Sequence, residues 1–269
     1  MTGASEVESA IATMPRGGPN ASWLDRRMQT DVLEYTDRYD IPDEVKQKVI
    51  KSLDRVGTRG KVHEKSARAA LRVVSHIRAP RILEIGAGHG KLSVKIVEYH
   101  PRAAVTVSDL DPTSVANIAA GELGAHPRVR PQVVDATAID APDDSYDLVV
   151  FAMAFHHLPP AVAYKAIAEA TRVGKRFLVI DLERPSPRKL ALALILTLPL
   201  WSAALLPPVR PLLHDGLISM LRAYSHSALA TLGRAADPRM RIEFLPALTW
   251  FGPPSTTVLF SRPDITPDR

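Results

Sequence analysis

The 269-residue chain predicts an α/β fold, an open, mostly parallel sheet of seven strands with helices on both faces. Three observations predict it. Short apolar runs rich in Val, Ile and Leu recur between Arg81 and Asp181 and alternate with helical patterns, as strands covered on both faces do. The first run ends in glycines at alternate positions, which marks a sharp turn into a helix. Acidic residues close successive runs, at the strand ends where open parallel sheets bind ligands.

Residues 1–20 are polar and close with Gly17-Gly18-Pro19, so they read as a disordered tail. Residues 21–78 read as an N-terminal helical cap. Within it, Trp23, Leu24, Met28, Val32, Leu33 and Tyr35 suggest one amphipathic helix from Ala21 to Tyr39. Asp40-Ile41-Pro42 opens a second helix with Asp40 as its cap, and Val45, Val49, Ile50 and Leu53 give it an apolar face up to Gly57. Beyond Gly60, Ala67, Leu71, Val74 and Ile77 stripe a third. The sheet-bearing domain spans 79–262. After the glycine turn a helix runs to His100-Pro101, followed by a strand at Ala104–Asp109 and a helix from Asp111-Pro112-Thr113 to about Leu123. Strands at Val129–Val134 and Leu148–Phe151, a helix at Pro160–Val173 and a strand at Arg176–Asp181 complete the alternation. A helical insertion at 186–234 precedes the last two strands, Ile242–Leu248 and Thr256–Phe260, and 263–269 form a tail.

Composition narrows the function. With no cysteine, disulfides, thiolate metal sites and a cysteine nucleophile are excluded. The N-terminus has no apolar signal region, which makes the cytoplasm the expected compartment. The net charge of +5 is unevenly placed: Glu44 to Arg81 hold eleven Lys/Arg against three acids. That is either the solvated face of helices or an attraction to an anionic partner. No aromatics interleave with these charges as on a base-stacking platform, so nucleic acid is not expected.

The glycine turn Glu84-Ile85-Gly86-Ala87-Gly88-His89-Gly90-Lys91-Leu92 admits three readings. A phosphate-binding P-loop fails at Ile85 and Leu92. A dinucleotide fingerprint is weakened by Lys91 in its third small position. What remains, an acid followed by Gly-x-Gly-x-Gly, resembles motif I of the class I S-adenosylmethionine-dependent methyltransferases. Asp109 stands nineteen residues beyond Gly90, close to the spacing at which an acid meets ribose hydroxyls.

The resemblance extends from Arg81 to Asp181 and to the quinone-biosynthesis-like, small-molecule type. It implies a Rossmann-like domain with S-adenosyl-L-methionine as cofactor. Glu84, Gly86, Ala87, Gly88, His89 and Gly90 would face its methionine part, Asp109 its ribose, and Leu110 and the Asp135-Ala136 pair its adenine. The segment at Phe151-Ala152 would lie by its amino group. His156 and His157, just past the fourth strand, are the catalytic candidates, with His156 preferred as general base. Asp109 and Asp135 could also be a cap and a turn residue. No carboxylates neighbour the two histidines in sequence, and no metal is expected.

Leu190 to Leu206 is an apolar stretch of seventeen residues broken by Pro199, short for a bilayer span. It suggests a lid over a lipophilic acceptor such as a quinone, polyketide or phenolic lipid, with His214, Arg222 and Tyr224 as polar contacts. Beside the basic cap it also allows transient contact with an anionic membrane surface. The expected state is a monomer or homodimer. The alternatives are an NAD(P)-dependent oxidoreductase and a non-catalytic cofactor-binding protein at a membrane surface.

Overall fold

A computed structural model describes residues 2–38, 40–201, 210–248 and 255–263. Seven strands form one sheet in the order β3-β2-β1-β4-β5-β7-β6. They are β1 (Arg81–Ile85), β2 (Ala104–Asp109), β3 (Val129–Val133), β4 (Leu148–Ala152), β5 (Phe177–Leu182), β6 (Arg241–Leu245) and β7 (Ser255–Ser261). The first five pair in parallel, while β7 runs antiparallel to both β5 and β6.

Strand burial follows from place in the sheet. Every residue of β1 after Arg81 is buried, as are Leu148 to Phe151 of β4 and Phe177 to Asp181 of β5. The two edge strands, β3 and β6, have no fully buried residue. Because side chains alternate faces, Leu83, Val149 and Val179 join one core cluster and Ile82, Leu148 and Leu178 the other.

The N-terminal region departs from expectation in the tail and at the start of the cap. Residues 2–12 form helix α1 (Thr2–Ala12), which packs on α7 (Pro160–Val173) and α10 (His226–Ala236). Ile11 and Met14 belong to the core and Arg16 is 4% exposed. The expected disordered tail is therefore corrected. Two apolar side chains and a buried guanidinium tie down a segment whose polar composition conceals them.

The expected helix from Ala21 to Tyr39 is also corrected. Only α2 (Trp23–Met28) forms, capped by Ser22, with a 3-10 turn at Tyr35–Asp37. Between them the chain is extended, and the Tyr35 N–H donates to the Asp215 side chain at 3.0 Å. A long-range partner thus replaces a helical one. Trp23, Leu24, Val32 and Leu33 are left exposed.

Helices α3 (Asp43–Arg59) and α4 (Val62–Val73) follow. Pro42 is the cap of α3; Asp40 instead pairs with Arg38 at 2.6 Å. In the sheet-bearing part, α5 (Lys91–Tyr99) follows the glycine turn, and α6 (Pro112–Ala120) is capped by Asp111, which accepts from the Thr113 and Ser114 N–H groups. The insertion holds α8 (Pro187–Trp201), α9 (Arg210–Arg222) and α10. Residues 202–209, with Pro207-Pro208, and the tail from 264 lie outside the described residues. Among the described residues no helix is long and apolar enough to cross a membrane.

Candidate active site

The glycine turn lies at the carboxyl end of β1, where strand order reverses between β1 and β4, the place where such sheets bind ligands. Gly86, Gly88 and Gly90 have φ of +64°, +55° and +70°, a region that side chains bearing Cβ disfavour. A Cβ on Gly86 would also stand 2.6 Å from the Phe151 ring. The turn is riveted to β2 by the Ala87 N–H, which donates to the Ser108 carbonyl at 2.9 Å.

Asp109 ties the second strand to this turn. Its Oδ2 accepts the Gly88 N–H at 2.8 Å and its Oδ1 accepts the Asp111 N–H at 2.9 Å. Burial pushes its carboxyl up, against those N–H bonds. Beside it Leu110 is 60% exposed, an apolar face at the rim. His89 is held from α3, with Nδ1 2.7 Å from Asp54 Oδ2 and Nε2 2.9 Å from Gln47 Oε1. The cap helix therefore closes directly over the turn.

Other predicted cofactor residues sit differently. Glu84 is buried under the turn and its carboxylate receives the Ser93 hydroxyl. Burial pushes its carboxyl up to about 8, with the Ser93 bonds opposing. It braces the first turn of α5 and does not face the cleft. Phe151 is core, edge-on to Phe155 with ring centroids 5.7 Å apart, and Ala152 is half-buried beside it. Asp135 is exposed and its Oδ1 accepts from the Thr137 N–H and hydroxyl at 2.8 Å, while Ala136 is buried.

Past β4 the chain turns through Met153, a non-glycine residue at φ +58°, into a 3-10 turn at Phe155–His157. Such backbone strain often marks a site. His156 is enclosed. Its Nδ1 lies 2.7 Å from Asp181 Oδ1, its N–H donates to Asp181 Oδ2 at 2.7 Å, and its Nε2 faces Glu34. Burial pushes the imidazole down, but Asp181 and Glu34 outweigh it and hold it up to about 10. The residue is 3% exposed and closed off from an incoming acceptor, so the expectation that His156 is the general base is corrected. His157 is the reachable one, 22% exposed, with Nδ1 2.8 Å from Asp37 Oδ1. Burial pushes the Asp37 carboxyl up, but hydrogen bonds from His157 and Arg222 outweigh it and hold it down to about 2.

The predicted acceptor contacts are also placed. Arg222 is buried and donates to Asp37 Oδ2 at 2.5 Å and the His157 carbonyl at 2.6 Å. Tyr224 is buried and donates to the Leu158 carbonyl at 2.7 Å. Both hold the histidine turn, so neither is free to meet an acceptor. His214 is half-buried, edge-on to Tyr35 at 5.2 Å with Nδ1 2.9 Å from Asp215.

A family described as "Methyltransferase domain" matches residues 82–176, the span holding the glycine turn, Asp109 and the histidine turn. A malonyl-[acyl-carrier protein] O-methyltransferase of Geobacter sulfurreducens is 35% identical over 97 residues, 36% of this chain and 35% of that protein. The uncharacterized methyltransferase YcgJ of Bacillus subtilis is 34% identical over 104 residues, 38% of this chain and 40% of that one. Residues 82–176 thus match a methyltransferase domain, and the similarity to these two methyltransferases lies in that part of the chain.

The fold of the chain is similar over nearly its whole length to the plantazolicin methyltransferase BpumL solved with SAH, at TM-score 0.62 and 12% identity, covering 96% of this chain and 98% of that one. The matched stretch of each curated relative is well under half of that relative. Sequence reasoning missed Glu34, Asp37 and Arg16, since nothing local links residues 16–37 to a turn more than a hundred positions away. The excess strain at Met153 likewise has no sequence signal.

Proposed function

We propose that the chain transfers the methyl group of S-adenosylmethionine to a hydroxyl or carbon of a lipophilic small molecule. The observation that carries the cofactor half is the bond between Gly88 and Asp109 at the switch point. It fixes a carboxylate beside a turn of left-handed glycines, where a diol and a sulfonium amino acid can be held together. In the transfer, a lone pair of the acceptor forms a bond to the methyl carbon as the carbon–sulfur bond breaks, and its electrons neutralise the sulfonium. Positioning supplies much of the acceleration. Glu84, Phe151 and Ala152 act as supports of the turn, and Asp135-Ala136 as the adenine edge.

The acceptor's proton passes to His157, the more exposed histidine, which is oriented by Asp37. A lipophilic acceptor is supported by exposed apolar side chains on two packed helices, Trp23 and Leu24 of α2 and Leu192 and Ile195 of α8. The same face supports transient contact with a membrane surface. The experiment is incubation with labelled S-adenosylmethionine and a panel of quinones, phenolic lipids and polar phenols. Labelled product from the lipophilic members only is the expected result; label on the polar members alone overturns the acceptor class.

A further inference from the structure

We propose that Glu34, His156 and His157 form a site for one divalent transition-metal ion of the zinc class. The inference goes beyond methyl transfer and stands on the geometry of the cluster. His156 Nε2 lies 3.5 Å from Glu34 Oε1, and His157 Nε2 lies 3.8 Å from Glu34 Oε2. One ligand atom from each residue lies within 4.8 Å of the others. Around a tetrahedral ion with ligand bonds of ~2.0–2.1 Å, neighbouring ligand atoms stand about 3.3 Å apart. A closing movement of up to about 1.5 Å therefore brings the set around one ion.

Two further features point to a cation. His156 Nε2 and Glu34 Oε1 are buried and face each other at 3.5 Å without a hydrogen bond, an arrangement that buried polar atoms avoid. The far nitrogen of each ring is already held by a carboxylate, His156 Nδ1 by Asp181 and His157 Nδ1 by Asp37. That is how metal-binding imidazoles are oriented, with the second nitrogen left to the ion. Arg222 Nη1, 4.0 Å from Glu34 Oε1, opposes the cation, and three carboxylates outweigh it.

Two imidazoles and one carboxylate suit zinc, cobalt, iron or nickel; magnesium and calcium prefer oxygen ligands. Glu34 and His156 are closed off, so a fourth ligand approaches past His157. With an ion bound, His157 would serve as a ligand, and an acceptor hydroxyl in the fourth position would lose its proton to solvent more readily.

The test uses the full chain stripped with a chelator, titrated with Zn²⁺ by calorimetry and with Co²⁺ by visible spectroscopy. One ion per chain and ligand-field bands of a low-symmetry nitrogen–oxygen site are expected. Glu34→Gln and His157→Gln should each weaken binding about a hundred-fold or more, and Asp37→Asn roughly ten-fold. Asp37→Asn decides the matter if the ligand variants do not fold. Absence of a stoichiometric ion, or unchanged affinity in these variants, overturns the site. S-adenosylhomocysteine is titrated in parallel. Binding of it without zinc removes the metal site alone, and zinc without it removes the transferase reading alone.

Discussion

Asp109 accepts a glycine-turn N–H and an N–H of the following helix start with opposite oxygens, leaving lone pairs for a ligand diol. Asp109→Ala removes charged acceptors, each worth about 1.5–3 kcal/mol, and unties Gly88. Affinity for S-adenosylhomocysteine is expected to fall roughly 10- to 150-fold, read by calorimetry, while an unchanged affinity would place the ribose elsewhere. Glu84 belongs to a different layer. Its carboxyl titrates near 4.5 when unfolded and near 8 when folded, so the folded state holds the proton longer and stability falls as pH rises between those values. Glu84→Gln cannot lose that proton. Relative to the parent, it should gain on the order of a few kcal/mol between pH 5 and pH 8. Urea unfolding of the cofactor-free protein at both pH values checks this, and a difference independent of pH would refute the assignment. At this scale spacing made the acids legible, but their orientation was not. Glu84 and Asp109 both end strands, yet one points under the turn and the other stays at its rim.

Helices were legible where the apolar stripe faced the sheet. The pattern over Pro160–Val173 is α7 to the residue, since Ala163, Ile167 and Ala170 meet a sheet that is already there. It failed in the cap, where Tyr35 gives its N–H to Asp215 and the chain must stay extended to carry Glu34 and Asp37 inward. Arg16 joins these pieces: its guanidinium donates to the His156 carbonyl at 2.8 Å and the Arg222 carbonyl at 2.5 Å, and lies 4.8 Å from the Tyr224 ring centroid. Burial pushes that guanidinium down from its usual range, so its partners matter. Arg16→Ala leaves two buried carbonyls without donors, a loss of about 2–5 kcal/mol. A fall in the urea midpoint of the variant is the expected reading, and an unchanged midpoint would mean that the Arg16 bridge contributes little to the fold.

The sheet order follows from short apolar runs separated by helices, and the sequence shows these plainly because parallel strands buried on both faces need unbroken hydrophobic character. The antiparallel β7 was legible from its own apolar residues, Val258 and Phe260 being fully buried, whereas its edge partner β6 has none fully buried. The proposed acceptor side is different: it draws on the extended stretch near Glu34, the turn at His156 and helix α9, pieces far apart in sequence and joined only in three dimensions. Composition registers none of those contacts. What unites both sides is the claim that the switch point of this sheet holds a sulfur nucleoside. Isothermal calorimetry with S-adenosylhomocysteine and, separately, NADH tests that claim most directly. Saturable one-to-one heat with S-adenosylhomocysteine and none with NADH is predicted; heat with NADH and none with the sulfur nucleoside would contradict it.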